Sequence, residues 1–145
     1  MFLIGADDGH RRPRRDDWSR HAVAFREYRE AIAIVAADAG EQVAWADANS
    51  WPWDEIRQTL DDAVYCQQGL LRRAWLLTDH AIEGVAQILA EFDAWTDESL
   101  WRSEEALKSR AEWARVRSIA KRALELLDAW RAETGAIEHG MERDS

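Results

Sequence analysis

Cysteine is almost missing from this chain of 145 residues: Cys66 stands alone. One thiol closes no internal disulfide and supplies no Cys/His zinc spacing, so neither a disulfide scaffold nor a zinc finger is available. Its neighbours in VYCQQG include no Lys, Arg or His to stabilise a thiolate, which reads as a packed, unreactive side chain. Proline occurs twice and glycine seven times, with no glycine-rich phosphate loop and no Gly-x-Ser-x-Gly turn. The Glu-x-x-His element of di-iron bundles is absent as well. No cofactor and no metal are therefore expected. Apolar runs never approach the roughly 20 residues that cross a bilayer, so no membrane partner is expected. The opening MFLIGADDGHRRPRR places its apolar residues before its charges, the reverse of a secretory leader, and the expected location is cytoplasmic.

What the chain does contain is helical material. Apolar residues make up 47% and charged residues 32%, which is globular composition rather than disorder. Ala, Leu, Glu and Arg dominate. Trp18, Ala22, Phe25, Ile32 and Val35 recur at helical steps with Tyr28 beside them, and Gly40 is placed to end that helix. Residues 41–48 fit a short helix or a loop. A second stripe runs Ile56, Leu60, Val64, Gln67 and Leu71 into the all-round apolar LLRRAWLL, the pattern of a buried turn. A break is expected near residue 78, with Thr78 or Asp79 capping a helix whose face holds Ile82, Val85, Ile88 and Phe92. Thr96 is positioned to cap the last helix, with a bend or restart near Ser103. Trp113, Val116, Ala120, Ala123, Leu127 and Trp130 then form a 3-4-3-4-3 seam ending before Gly135. The expected class is all-α: an antiparallel bundle of three to five helices over residues 16–135 with a long C-terminal helix, flanked by flexible tails at 1–15 and 136–145.

Net charge is −9 but unevenly placed. Residues 81–100 hold Glu83, Glu91, Asp93, Asp97 and Glu98 with no basic residue, and residues 108–122 are strongly basic. Side-by-side packing of the two segments would set opposite charges together. Nine tryptophans give more aromatic area than a small bundle needs, and at least six are expected in the core. The leading functional reading is a non-enzymatic protein–protein interaction module: an assembly subunit, inhibitor or immunity-type partner, binding another chain or itself. Its candidate contacts are Trp45, Trp51, Trp53 and Trp101, together with the acidic Glu91, Asp93, Asp97 and Glu98. The alternative is a nucleic-acid-contacting helical subunit of a ribonucleoprotein, using Arg110, Arg115, Arg117, Lys121 and Arg122.

One short motif points to chemistry. In RRAWLLTDH, six residues separate Arg73 from His80. That spacing, on a helical chain of this length, resembles the HEPN ribonucleases. The resemblance implies a guanidinium holding an RNA phosphate and an imidazole exchanging protons with the 2′-hydroxyl. It covers two residues and a fold class. Arg14 and His21 match the same spacing, and Ala74 stands where that family tends to place a polar residue.

Overall fold

A computed structural model describes the backbone of residues 15–134 and the side chains of residues 19–129. The expected 1–15 and 136–145 tails, the helix end at Gly135 and the side chains of Trp18 and Trp130 lie outside what is described, except that Arg15 already begins a helix. Every regular element among the described residues is helical: α1 (Arg15–Ala36), α2 (Ala39–Asn49), α3 (Glu55–Ala63), α4 (Gly69–Arg73), α5 (Asp79–Asp93), α6 (Glu104–Ser109) and α7 (Ala111–Thr134). A π-helical segment, Val64–Gln68, joins α3 to α4 without interruption, and a 3-10 turn, Glu98–Trp101, precedes α6. The all-α class and the long C-terminal helix are as the periodicity predicts.

Cross-helix pairs set the directions. Arg29 of α1 forms a two-pronged ion pair with Asp128 of α7, at 2.9 and 2.8 Å. Near the other end of α1, Gln42 bonds the carbonyls of Ile34 and Val35 and accepts from Arg117. Along α5, Gly84 meets Ala123 and Glu91 meets Arg115. Rising numbers on one helix thus meet falling numbers on the other, so α7 runs antiparallel to both α1 and α5. Glu27 and Tyr28 bond Gln67 and Gln68, while Ile34 lines a groove together with Glu55 and Thr59, so α1 and the α3–α4 rod are antiparallel too. The result is an up-down-up-down ring of α1, α3–α4, α5 and α7.

The C-terminal seam is the best-fulfilled pattern. Trp113, Val116, Ala120, Ala123 and Leu127 are all essentially solvent-free. They face Phe25, Tyr28, Ile32 and Val35 of α1 and Val85, Ile88 and Phe92 of α5 in one core cluster. Tyr28, expected only beside the α1 stripe, lies inside it and donates to Gln68 Oε1 at 2.7 Å. A buried hydroxyl needs that partner. Small residues set the α5–α7 spacing. A Cβ on Gly84 would sit 3.1 Å from the Ala123 Cβ and 3.2 Å from its Cα.

Four local expectations are corrected. First, Gly40 does not end the first helix. α1 stops at Ala36, and Asp38 starts α2 with a capping box: its side chain accepts from Glu41 N at 2.9 Å while its own N–H donates to Glu41 Oε1 at 3.4 Å. Gln42, fully buried on the new helix, bonds the Ile34 and Val35 carbonyls that α1 leaves open. Second, LLRRAWLL is not buried all round. Leu71, Leu76 and Leu77 are, but Trp75 is 83% exposed. The rod ends there in a Schellman turn, with Leu76 N–H donating to Leu71 O and Trp75 N–H to Arg72 O, and Trp75 takes the left-handed position at φ 63°. Third, Thr96 is not the cap. Asp97 caps the 3-10 turn through Ser99 N, and Ser103 caps α6 through Ala106 N. Arg110 then adopts extended backbone before α7 begins, a second restart the apolar spacing does not signal. Fourth, Cys66 is exposed rather than packed. The expected break near residue 78 is present, with Thr78 Oγ1 accepting from Ala81 N.

α2, the 3-10 turn and α6 close one end of the ring. That end holds most of the tryptophan. Trp95, Trp101 and Trp113 surround Phe92 with ring centroids 4.9 to 6.0 Å apart. Trp113 Nε1 donates to Leu100 O at 2.9 Å, and Trp95 Nε1 to Glu91 Oε2 at 2.9 Å. Five of the seven described tryptophans pack on the core, leaving Trp51 and Trp75 exposed. Arg117 stitches this end together. Its guanidinium donates to Gln42 Oε1 at 3.0 Å and to Leu107 O, and lies 5.9 Å from the centre of the Trp113 ring. Partial burial holds its pKa below the usual arginine value.

Candidate functional site

The acidic and basic segments meet in two ion pairs, and most of their other charges find partners elsewhere in the chain. Arg115 Nε donates to Glu91 Oε2 at 3.0 Å. Arg110 reaches Asp97 at 3.2 Å and Glu112 at 2.9 Å. Asp93 pairs with Arg57, and Glu98 with Arg102 at 3.1 Å. The Asp97 carboxyl is held below the ordinary carboxylate range, first by hydrogen bonds from Ser99 and then by Arg110. None of the four acidic candidates is left as unopposed charge. Among the basic candidates Arg122 pairs with Glu125 at 3.3 Å, and Lys121 is exposed with no ion pair among the described residues. Opposite segments of one chain thus cancel locally, which favours this packing more than it adds stability.

Arg73 and His80 are both exposed, and no contact joins them. The Arg73 guanidinium folds back along α4, its Nη1 3.2 Å from where a Gly69 Cβ would stand. His80 begins α5 beyond the 74–78 turn. Among the described residues, no three His, Cys, Asp or Glu side chains gather as a metal site. No described helix is long and apolar enough to cross a membrane.

Of the aromatic candidates, Trp53 and Trp101 are half-buried against the core, and Trp101 belongs to the Phe92 cluster. Trp45 and Trp51 do something else. Their rings meet edge-to-face at 5.1 Å, and together they wall one end of a groove between α1 and α3–α4. The groove encloses about 400 Å³ over a floor of Ala31, Ile34 and Ala63, and Glu27, Glu30, Glu55 and Asp62 stand along it. It continues past Cys66 and Gln67 to Val23 and Leu70, with Arg20 at the far end. From Arg20 to Ile34 the α1 wall is roughly 21 Å long at 1.5 Å per residue. Glu27 accepts from Gln67 Nε2 at 2.7 Å and Asp62 from Gln58 at 3.0 Å, whereas Glu30 and Glu55 have no partner among the described residues. The Oε1 of Gln67 is covered and unbonded.

Sequence reasoning picked Trp45 and Trp51 and missed the carboxylates. A signal existed. Glu27, Glu30 and Ile34 step by three and four along α1, as Glu55, Thr59, Asp62 and Cys66 do along the rod.

The π segment lies where the groove bends. A π turn adds a residue without breaking the helix and shifts the faces that follow. Val64 and Gln67, expected in the core stripe, are thereby only half-buried, while Cys66 turns to the groove.

The chain matches no protein-family model, no curated protein and no solved structure, so the groove must be interpreted from its own chemistry.

Proposed function

We propose that this protein is a non-enzymatic protein-interaction module whose α1/α3–α4 groove receives a basic amphipathic helix of a partner protein. The observation that carries the reading is the pairing of an apolar floor and two edge-to-face tryptophans with four carboxylates along the same trough. A trough of that length suits a helix of about four turns, the helix-in-groove mode in which apolar side chains at i, i+3, i+4 and i+7 seat in the floor. Lysine or arginine on its flanks would meet Glu30 and Glu55, and an arginine could also lie over Trp51, which is 44% exposed. The proposal includes a cytoplasmic setting, supported by a single cysteine with no disulfide partner. It involves no cofactor. Neither the nucleic-acid reading nor the ribonuclease reading has an observation of its own in its favour.

The test is a tryptophan-fluorescence titration with two amphipathic peptides that share an apolar face and carry either Lys or Glu on the flanks. The Lys peptide should bind and weaken with added salt, because exposed charges are screened over about 8 Å at physiological ionic strength. Trp51→Ala and the double variant Glu30→Gln/Glu55→Gln should each weaken it. Equal affinity for the two peptides, or binding of neither, would overturn the reading.

A further inference from the structure

The α3–α4 rod has a second surface, turned away from the core. Asp54, Gln58, Tyr65 and Gly69 run along it, with Arg72 and Arg73 at its end, and all are exposed. Tyr65 is 90% exposed and stands seven residues from both Gln58 and Arg72. The stretch before it carries the carboxylates, and the stretch after it carries Arg72 and Arg73. Just beyond, Trp75 is 83% exposed on left-handed backbone, the position that ordinarily falls to glycine. A large aromatic side chain kept in the open at a conformational cost adds little to this fold, which points to a contact outside the chain.

We propose that this face pairs with the same face of a second copy, antiparallel about a two-fold axis at Tyr65. The charge order along the rod selects that arrangement. Turning one rod end for end about Tyr65 sets Arg72 of each copy level with Gln58 of the other and Arg73 within one helical turn of Asp54, next to an Arg57 already held by Asp61 and Asp93, at both ends of the contact. Parallel pairing would set like against like. The two Tyr65 rings meet at the axis. Trp75 then reaches level with the 51–55 segment of the second copy, where Trp51 is itself exposed. The exposed ion pair of Arg72 with Asp79, at 3.5 Å, contributes little and exchanges readily. Such a contact is isologous and closed, so it ends at the dimer. It centres on a different face from the peptide groove, with Trp51 at the margin of both.

Sedimentation equilibrium of the full chain from low to high micromolar concentration tests it. The mass should double, and Tyr65→Asp should hold the protein monomeric with an unchanged helical circular-dichroism spectrum. Two charge variants, Arg72→Glu/Arg73→Glu and Asp54→Lys/Gln58→Lys, should each associate at least about tenfold more weakly than the wild type. Mixed together, they should recover a dimer containing one of each. A wild type that stays monomeric throughout, leaving the face to some other occupant, overturns the proposal. So does a Tyr65→Asp protein that still dimerises, or a mixture that fails to pair. The Lys peptide titrated into the Tyr65→Asp variant separates the two readings, since groove binding should survive there intact.

Discussion

Replacing Trp75 by glycine should stabilise the protein more than replacing it by alanine, although alanine is elsewhere the better helix-forming residue. Both changes delete the same side chain, which is 83% exposed and so loses little buried area. They differ in the backbone. At φ 63° an L-residue sets its Cβ against the following carbonyl, a strain of roughly 1–2 kcal/mol that glycine lacks. Part of that gain is offset, because glycine has more freedom to lose on folding, at about 0.4–1 kcal/mol. The net preference for glycine is about 1 kcal/mol. With an unfolding entropy near 2.1 cal/mol/K per residue, that corresponds to roughly 3–4 °C in Tm for a domain of this size. Thermal denaturation at low protein concentration, followed by circular dichroism, reads the difference. If the alanine variant melts at or above the glycine variant, the turn at 75 is not left-handed and the argument for a functional tryptophan there fails.

Three further outcomes are expected. Gly84→Ala should destabilise by about 1 kcal/mol in urea unfolding: the helix-propensity gain of about 0.8–1.0 kcal/mol is outweighed by an overpacking cost of about 1–3 kcal/mol, since the new methyl meets the Ala123 Cα at 3.2 Å. A stabilised variant would mean that α5 and α7 separate easily. Arg117→Met keeps an apolar stem over Trp113 but leaves the Gln42 Oε1 and Leu107 carbonyls without their donor, and should cost roughly 2–6 kcal/mol by the same measurement, at about 1–3 kcal/mol per stranded buried acceptor. Asp38, whose carboxyl is held below its ordinary value chiefly by the Glu41 backbone N–H, stabilises α2 only while ionised. Its contribution is present above the unfolded-state pKa of about 3.9 and is lost as pH falls through the lower folded value. Asp38→Asn should therefore flatten the acid limb of the stability curve, and an unchanged limb would rule this cap out as its source.

The sequence alone determined the helical class, the C-terminal seam, the break before Thr78 and the restart at Ser103. Each rests on interactions within a few residues, such as a repeat that keeps Trp113, Val116, Ala120, Ala123 and Leu127 on one face or a hydroxyl that bonds an N–H three places on. The capping box of Asp38 and Glu41 was equally local and legible, but the glycine between them suggested a helix end instead.

Tertiary structure decided the rest. Arg117 is no surface cation because Gln42 and Leu107, distant in sequence, offer it acceptors. Glu91 and Asp97 are not free anions because α5 and the 3-10 turn lie beside Arg115 and Arg110. The groove exists only where α1 meets α3–α4, so no single helix carries its pattern. Trp75 is exposed because a Schellman turn ends the rod one residue before it, and apolar spacing cannot report the sign of φ. Periodicity along one helix records which side faces inward, and the neighbours it meets there depend on how the whole chain packs.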